Sequence, residues 1–231
     1  MVRRHKIVFT LVLMLLAYLG YEVVTFPNTS LLAHENPKST AWMELRDNEA
    51  RAKGKRPVRF QNWKPLNEIP ANLKNAVLIA EDAAFFRHDG LDYDEIREAV
   101  KINMEKLEFA RGASTITQQL AKNLYLSPSR NPVRKLKELA LTFSLEWNLT
   151  KKRIFEIYLN VIEWGDGVYG ADAAARSYYK KPCSDLSDEE AAALAAVIIN
   201  PRRYSPVRPN KRIQRRIAMI KARMDRYRYY K

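Results

Sequence analysis

Apolar residues recur along this chain at intervals of three and four, the spacing of one helix face. Leu73, Leu78, Ile79, Phe85 and Phe86 fit a helix opened by Pro70 and running to Phe86. Ile96 and Val100 continue a second, from Asp92 or Tyr93 to about Leu107. Ile116, Leu120 and Leu124 lie at i, i+4 and i+8 behind Thr115-Ile-Thr-Gln118, a capping-box pattern, with Pro128 as the stop. Asn131-Pro132 is an N-cap followed by proline at the first helical position. It leads a helix whose apolar stripe reads Val133, Leu136, Ala140, Phe143 and Trp147. Thr150 caps a face of Ile154, Ile157, Tyr158 and Val161, and Ser187-Asp-Glu-Glu190 is a second capping box ahead of an alanine-rich run. Ile213, Ile217, Ile220 and Met224 mark a last helix, with arginines around its other sides. Strand-like alternation is scarce, and neither a repeat nor a low-complexity tract is present. The pattern predicts an all-α, mostly helical domain.

The first residues follow a different pattern. Arg3, Arg4 and Lys6 precede a run with no charge from Ile7 to Tyr21, interrupted by Glu22. No small-x-small cleavage signal follows soon after, which favours an uncleaved signal anchor over a cleaved signal peptide. The expectation is a cytoplasmic tip at 1–6, a single transmembrane anchor at 7–26 and all later residues on the outer side, by the positive-inside rule. Residues 27–60, polar and broken by Pro27, Pro37, Gly54 and Pro57, read as a membrane-proximal linker with one short helix. A folded domain at 61–209 and a basic C-terminal helix at 210–231 complete the plan.

Charge adds a partner. The 231 residues carry 40 Lys+Arg and 26 Asp+Glu, a formal +14. From Arg202 onward there are twelve Lys/Arg against one acid, Asp225, so +11 of the +14 lies in the last thirty residues. Such an excess seeks a polyanion. Beyond an anchor, nucleic acid is a poor partner and an anionic membrane surface a good one. The single cysteine, Cys183, excludes a disulfide framework and a multi-cysteine zinc site, and with no nearby His it is a poor candidate nucleophile.

Candidate chemistry begins with two adjacent carboxylates. On the helix predicted from Pro70 to Phe86, Asp82 falls within the apolar stripe and Glu81 on its edge. An unpaired buried charge there would cost several kcal/mol. Glu138 likewise lies against an apolar flank, with Arg134 one turn before it; alone, that pair reads as a surface ion pair. In Gly112–Asn123, GASTITQQLAKN, seven of twelve side chains carry hydroxyl, amide or ammonium groups at a helix start, which suits hydroxyl-rich or phosphate ligands. GDGVYG (Gly165–Gly170) matches a dinucleotide fingerprint but lacks surrounding βαβ units, so it reads as a turn between helices. SYYK (Ser177–Lys180) lacks the companion motifs of penicillin-recognising enzymes.

EDAAFFRHDG, RGASTITQQLAKNLYL, RKLKE and KKRIFEIYLN, in this order and spacing, resemble the first four signature motifs of the peptidoglycan glycosyltransferases, glycosyltransferase family 51. The likeness continues through GVYGADAAARSYYKK and covers roughly Trp63 to Pro209. The resemblance implies a lysozyme-like helical domain on the outer face of the bacterial cytoplasmic (inner) membrane. It would polymerise lipid II onto a lipid-linked growing glycan, inverting the donor anomeric carbon to a β-1,4 linkage and releasing polyprenyl diphosphate. By motif position Glu81 becomes the general base. Glu138 positions substrate or a divalent cation, Mg²⁺ or Mn²⁺, although no metal cage is evident in the sequence. Lys122, Arg130 and Lys137 would bind the diphosphate; Ser114, Gln118, Gln119 and Asn123 would line the donor side. Asp82, His88 and Asn160 read as scaffold. Other cell-wall synthesis or division proteins are possible partners in this setting, and a lysozyme-like lytic enzyme is the alternative on the same fold.

Overall fold

The computed structural model describes residues 2–106, 112–128, 132–226 and 229–230, less the side chains at 2–4, 7, 8, 15, 19, 23, 106 and 132. Its helices are α1 (Val2–Val24), α2 (Ala41–Ala52), α3 (Ala71–Glu81), α4 (Tyr93–Lys106), α5 (Ile116–Tyr125), α6 (Pro132–Asn148), α7 (Lys151–Val161), α8 (Ala171–Tyr179), α9 (Asp188–Val197) and α10 (Lys211–Met224). Three short strands, β1 (Phe60–Gln61), β2 (Glu163–Gly165) and β3 (Val168–Tyr169), form a sheet in the order β1-β3-β2. β1 pairs parallel with β3, Phe60 opposite Val168, and β2 pairs antiparallel with it.

The predicted caps form. Thr115 and Gln118 bond reciprocally at the start of α5, as do Ser187 and Glu190 at α9. Thr150 accepts from the Arg153 N–H. Each cap contributes about 1 kcal/mol. The core is continuous. α3, α9 and α10 pack on one another, α5 packs on α6, α7 and α2, and Leu73, Leu120, Ile157, Trp164, Leu194 and Ile213 are fully buried. Burial of each such aliphatic side chain stabilises by roughly 1.5–3 kcal/mol.

Four expectations change. The helix opened at Pro70 ends at Glu81, not Phe86; Asp82 leaves it with φ −166°, and only a short 3-10 turn, Phe85–Arg87, follows. The cause is the Asp82 carboxylate, which bonds a distant backbone N–H instead of continuing the helix. On α6, the predicted apolar stripe faces outward. Leu136 is 67% and Trp147 90% exposed, whereas Leu141, Leu145, Thr142 and Glu138 are buried. Periodicity finds an apolar face but does not say what covers it. Residues 27–60 are part of the fold, since Met43 is buried on α2 and that helix packs on α5. Ile213, Ile220 and Met224 place α10 in the same core.

The glycine-rich stretch is a tight hairpin between α7 and α8. Gly167 has φ +71°, and a Cβ there would sit 2.6 Å from the Val58 carbonyl oxygen; at Gly170, φ +86°, it would sit 2.7 Å from that of Asn160. Behind the hairpin Asp172 is fully buried. Burial would raise its pKa, but the Cys183 N–H, Arg176 and Asn62 outweigh that and hold it below the usual range. Cys183 is buried and its thiol is pushed up to about 12 by burial and then by Asp172, so it is no nucleophile. Among the described residues, which leave out the side chains of Ile7, Val8, Leu15, Leu19 and Val23, no helix is long and apolar enough to cross a membrane.

Candidate active site

The last residue of α3, Glu81, is the residue expected to act as base. Glu81 is one-tenth exposed, and each carboxylate oxygen has one protein partner: Arg216 Nη2 donates to Oε1 at 2.8 Å, and Gln119 Nε2 to Oε2 at 3.0 Å. Gln119 is oriented in turn by the Tyr158 hydroxyl, which donates to its Oε1 at 2.9 Å. Burial foremost holds the Tyr158 hydroxyl well above its ordinary pKa, so it remains a donor. Burial also raises the pKa of Glu81, against the opposing pull of Arg216, Gln119 and Lys122. A desolvated carboxylate with spare lone pairs is suited to take a proton from a hydroxyl.

The neighbouring Asp82 is spent on structure. It accepts from the Ile116 N–H at 3.0 Å, which joins the end of α3 to the start of α5, and meets His88 Nε2 at 3.0 Å. Asp82, His88 and Asp92 do bring ligand-type atoms within 4.8 Å of one another. These atoms already serve the support: Asp82 as described, and Asp92 by accepting from the Glu95 N–H at the start of α4. Asn160 is scaffold as well, accepting from the Lys64 N–H and donating to the Lys64 and Glu156 carbonyls.

Lys122 projects from α5 one turn after Gln118 and within the fields of both Glu138 and Glu81. Burial lowers its pKa most; Glu138 and Glu81 raise it, while Arg134 and Lys135 lower it. It lines a cleft of about 310 Å³ with Gln119, Asn123, Trp42, Arg46 and Arg202 among its walls, a volume at the lower end for small-ligand sites. The cleft is cationic and polar.

Placement of the remaining expected residues is mixed. Asn123 lines the cleft and donates to the Gln119 carbonyl. Ser114 is exposed at the lead into α5. Gln118 is not on the cleft: its side chain is buried and its carbonyl oxygen closes the capping box on the Thr115 N–H at 3.0 Å. Glu138 is buried with one oxygen on Arg134 at 2.9 Å and the other on Lys135 at 2.5 Å. With both oxygens held by cations and Lys122 close by, these residues do not fit a resident divalent cation. Lys137 pairs with Glu22 of α1 at 2.6 Å, away from Glu81. Arg130 lies outside the described residues.

Sequence reasoning missed Trp42, Arg46, Glu163, Arg202 and Arg216. Glu163 is buried and accepts from Trp42 Nε1 and Arg46 Nε, both at 3.2 Å; burial raises its pKa against the pull of Arg46. Nothing in a linker-like segment announced Trp42 and Arg46. Arg216 was detectable, because it interrupts the apolar side of α10 between Ile213 and Ile220.

A desolvated carboxylate whose partner Gln119 lines a polar, cationic cleft agrees with what comparison finds. A family model described as Transglycosylase matches residues 49–225. The chain belongs to the transglycosylase family. It is 45% identical over 204 residues to a protein of Thiobacillus denitrificans named "Biosynthetic peptidoglycan transglycosylase", covering 88% of each chain. Proteins with the same name from Dechloromonas aromatica (47% over 189 residues, 82% of each) and Laribacter hongkongensis (43% over 215, 92% of this chain and 93% of the other) are similar as well. The matched region includes α2 from Glu49 onward and all of α10, in keeping with the packing of both on the core.

Proposed function

We propose that this chain is a peptidoglycan glycosyltransferase of cell-wall biosynthesis, polymerising lipid II into β-1,4-linked glycan. The observation that carries the reading is Glu81, buried and held by Gln119 and Arg216 beside Lys122. In this mechanism the 4-hydroxyl of incoming lipid II loses its proton to Glu81 as its oxygen attacks C1 of the lipid-linked glycan. The C1–O bond to the diphosphate breaks with inversion, and the diphosphate leaves on its polyprenyl carrier. Attack and departure on opposite faces follow the logic of inverting glycosidases. Lys122 stabilises the departing negative charge in a site of reduced dielectric, where such a contact is strongest. Glu138 holds Arg134 and Lys135 beside Lys122 and so gathers positive charge. Mg²⁺ or Mn²⁺, when bound, would come with the diphosphate and neutralise part of its charge.

The membrane setting belongs to the same proposal. The stretch from Ile7 to Phe26, charged only at Glu22, comes near the roughly 20 residues of a single pass in the cytoplasmic membrane when Glu22 reaches the interface. α1 exposes Phe9, Leu13 and Leu16, as a lipid-facing helix would. Outward-facing Leu136, Phe143 and Trp147 on α6, and Val100 and Met104 on α4, offer further apolar contact with the bilayer. The exposed cations of α10 suit anionic headgroups.

The test is incubation of the full chain in detergent with purified lipid II. Lysozyme-digestible polymer and released polyprenyl diphosphate are expected. Cleavage of finished glycan without consumption of lipid II would make the protein a lytic enzyme instead.

A further inference from the structure

Glu81 is faced by a residue from outside the four matched motifs. α10 buries Ile213 and Ile220 in the core, and Arg216 lies three residues after the first and four before the second, on the same side of the helix. Its guanidinium runs along the core surface to the end of α3. There Nη2 donates to Glu81 Oε1 at 2.8 Å and to the Ala80 carbonyl at 3.0 Å. That carbonyl belongs to the last turn of α3, where helical acceptors lack intrahelical partners. Arg216 thus ties the carboxylate to the backbone that carries it. Its Nε is buried without a partner, a cost that a surface-seeking arginine would avoid.

We propose that Arg216 is a positioning residue for Glu81, fixing the carboxylate's rotamer so that its free lone pairs meet the acceptor hydroxyl. This makes the C-terminal helix a working wall of the active site as well as a basic surface. The inference rests on the reading of Glu81 as general base. The groups that face Glu81 are Arg216 from α10, Gln119 and Lys122 from α5 and Tyr158 from α7, with Asp82 next to it in sequence. Among those that oppose the effect of burial on Glu81, Arg216 is the largest. An arginine here therefore does two things at once: it aims the carboxylate and keeps it ionised toward lower pH.

The pH dependence of kcat/KM for lipid II polymerisation by the full chain tests this. In Arg216→Met the acid limb should move to higher pH by about 1–2 units, as expected for loss of a close opposite charge. At pH values below both limbs the rate should fall by roughly 10- to 100-fold, one decade per unit, and the deficit should close as pH rises above them. Arg216→Lys should return the limb most of the way. Arg215→Met, which removes a charge from the exposed face of the same helix, should leave the limb in place. If Arg216→Met does not fold, Arg216→Gln carries the same comparison. An unmoved limb, or a uniform loss at every pH with a lowered Tm, overturns the proposal while leaving the base reading intact, provided Glu81→Gln is inactive. An active Glu81→Gln removes the base itself, and this inference with it.

Discussion

Two sides of one helix end carry two adjacent carboxylates with opposite assignments. On the inner side, Asp82 takes its partners from backbone and scaffold, the Ile116 N–H and His88, and so fastens α3 to α5. On the cleft side, Glu81 is held by side chains from two other helices, Gln119 of α5 and Arg216 of α10, and burial raises its pKa. On the proposed function, the difference separates support from chemistry within one residue step. A carboxylate bound to backbone N–H groups fixes geometry. One bound to side-chain donors, and desolvated, is left able to exchange a proton.

The comparison can be broken from the support side first. Asp82→Ala strands the Ile116 N–H and leaves His88 without its partner, at a cost of about 3 kcal/mol. Thermal unfolding should show a Tm lower by roughly 6–12 °C. A Tm within a degree of the parent would place Asp82 outside the scaffold.

The adjacent glutamines of α5 sharpen it further. Gln119→Ala frees Glu81 Oε2 and should lower kcat about tenfold, since a displaced catalytic group loses its near-attack geometry. It also strands the buried Tyr158 hydroxyl, at a cost of about 1–3 kcal/mol. Gln118→Ala opens the capping box, costing about 1 kcal/mol of stability, while kcat should change less than twofold. Equal effects on kcat from both substitutions would mean that α5 does not divide its polar face this way.

Much of this architecture was legible in the sequence. The capping residues Thr115, Thr150 and Ser187 announce helix starts through local bonding, and local bonding is what the structure shows there. The odd placement of Glu81 and Asp82 was legible too, but the reason was not. Periodicity assumed a helix to Phe86, whereas Asp82 ends it through a bond to a residue thirty-four positions away. The stripe on α6 failed for a related reason. Leu136 and Trp147 obey helical spacing yet face outward, because spacing carries no information about which apolar face meets the core. The α2 residues Trp42 and Arg46 reach the site only through tertiary packing, so no local pattern assigned them to it, whereas Arg216 stood out locally only as an interruption of the apolar side of α10.

The claim that Glu81 performs the chemistry while its neighbours hold it in place is tested most directly by Glu81→Gln. This change keeps the shape of the side chain and one accepting oxygen for Arg216 or Gln119, and removes the base. Glycan polymer formed from purified lipid II, measured beside thermal unfolding of the same preparation, should fall below about one-hundredth of the parent rate with the Tm preserved. Polymer formed at the parental rate by a folded Glu81→Gln protein would contradict the account.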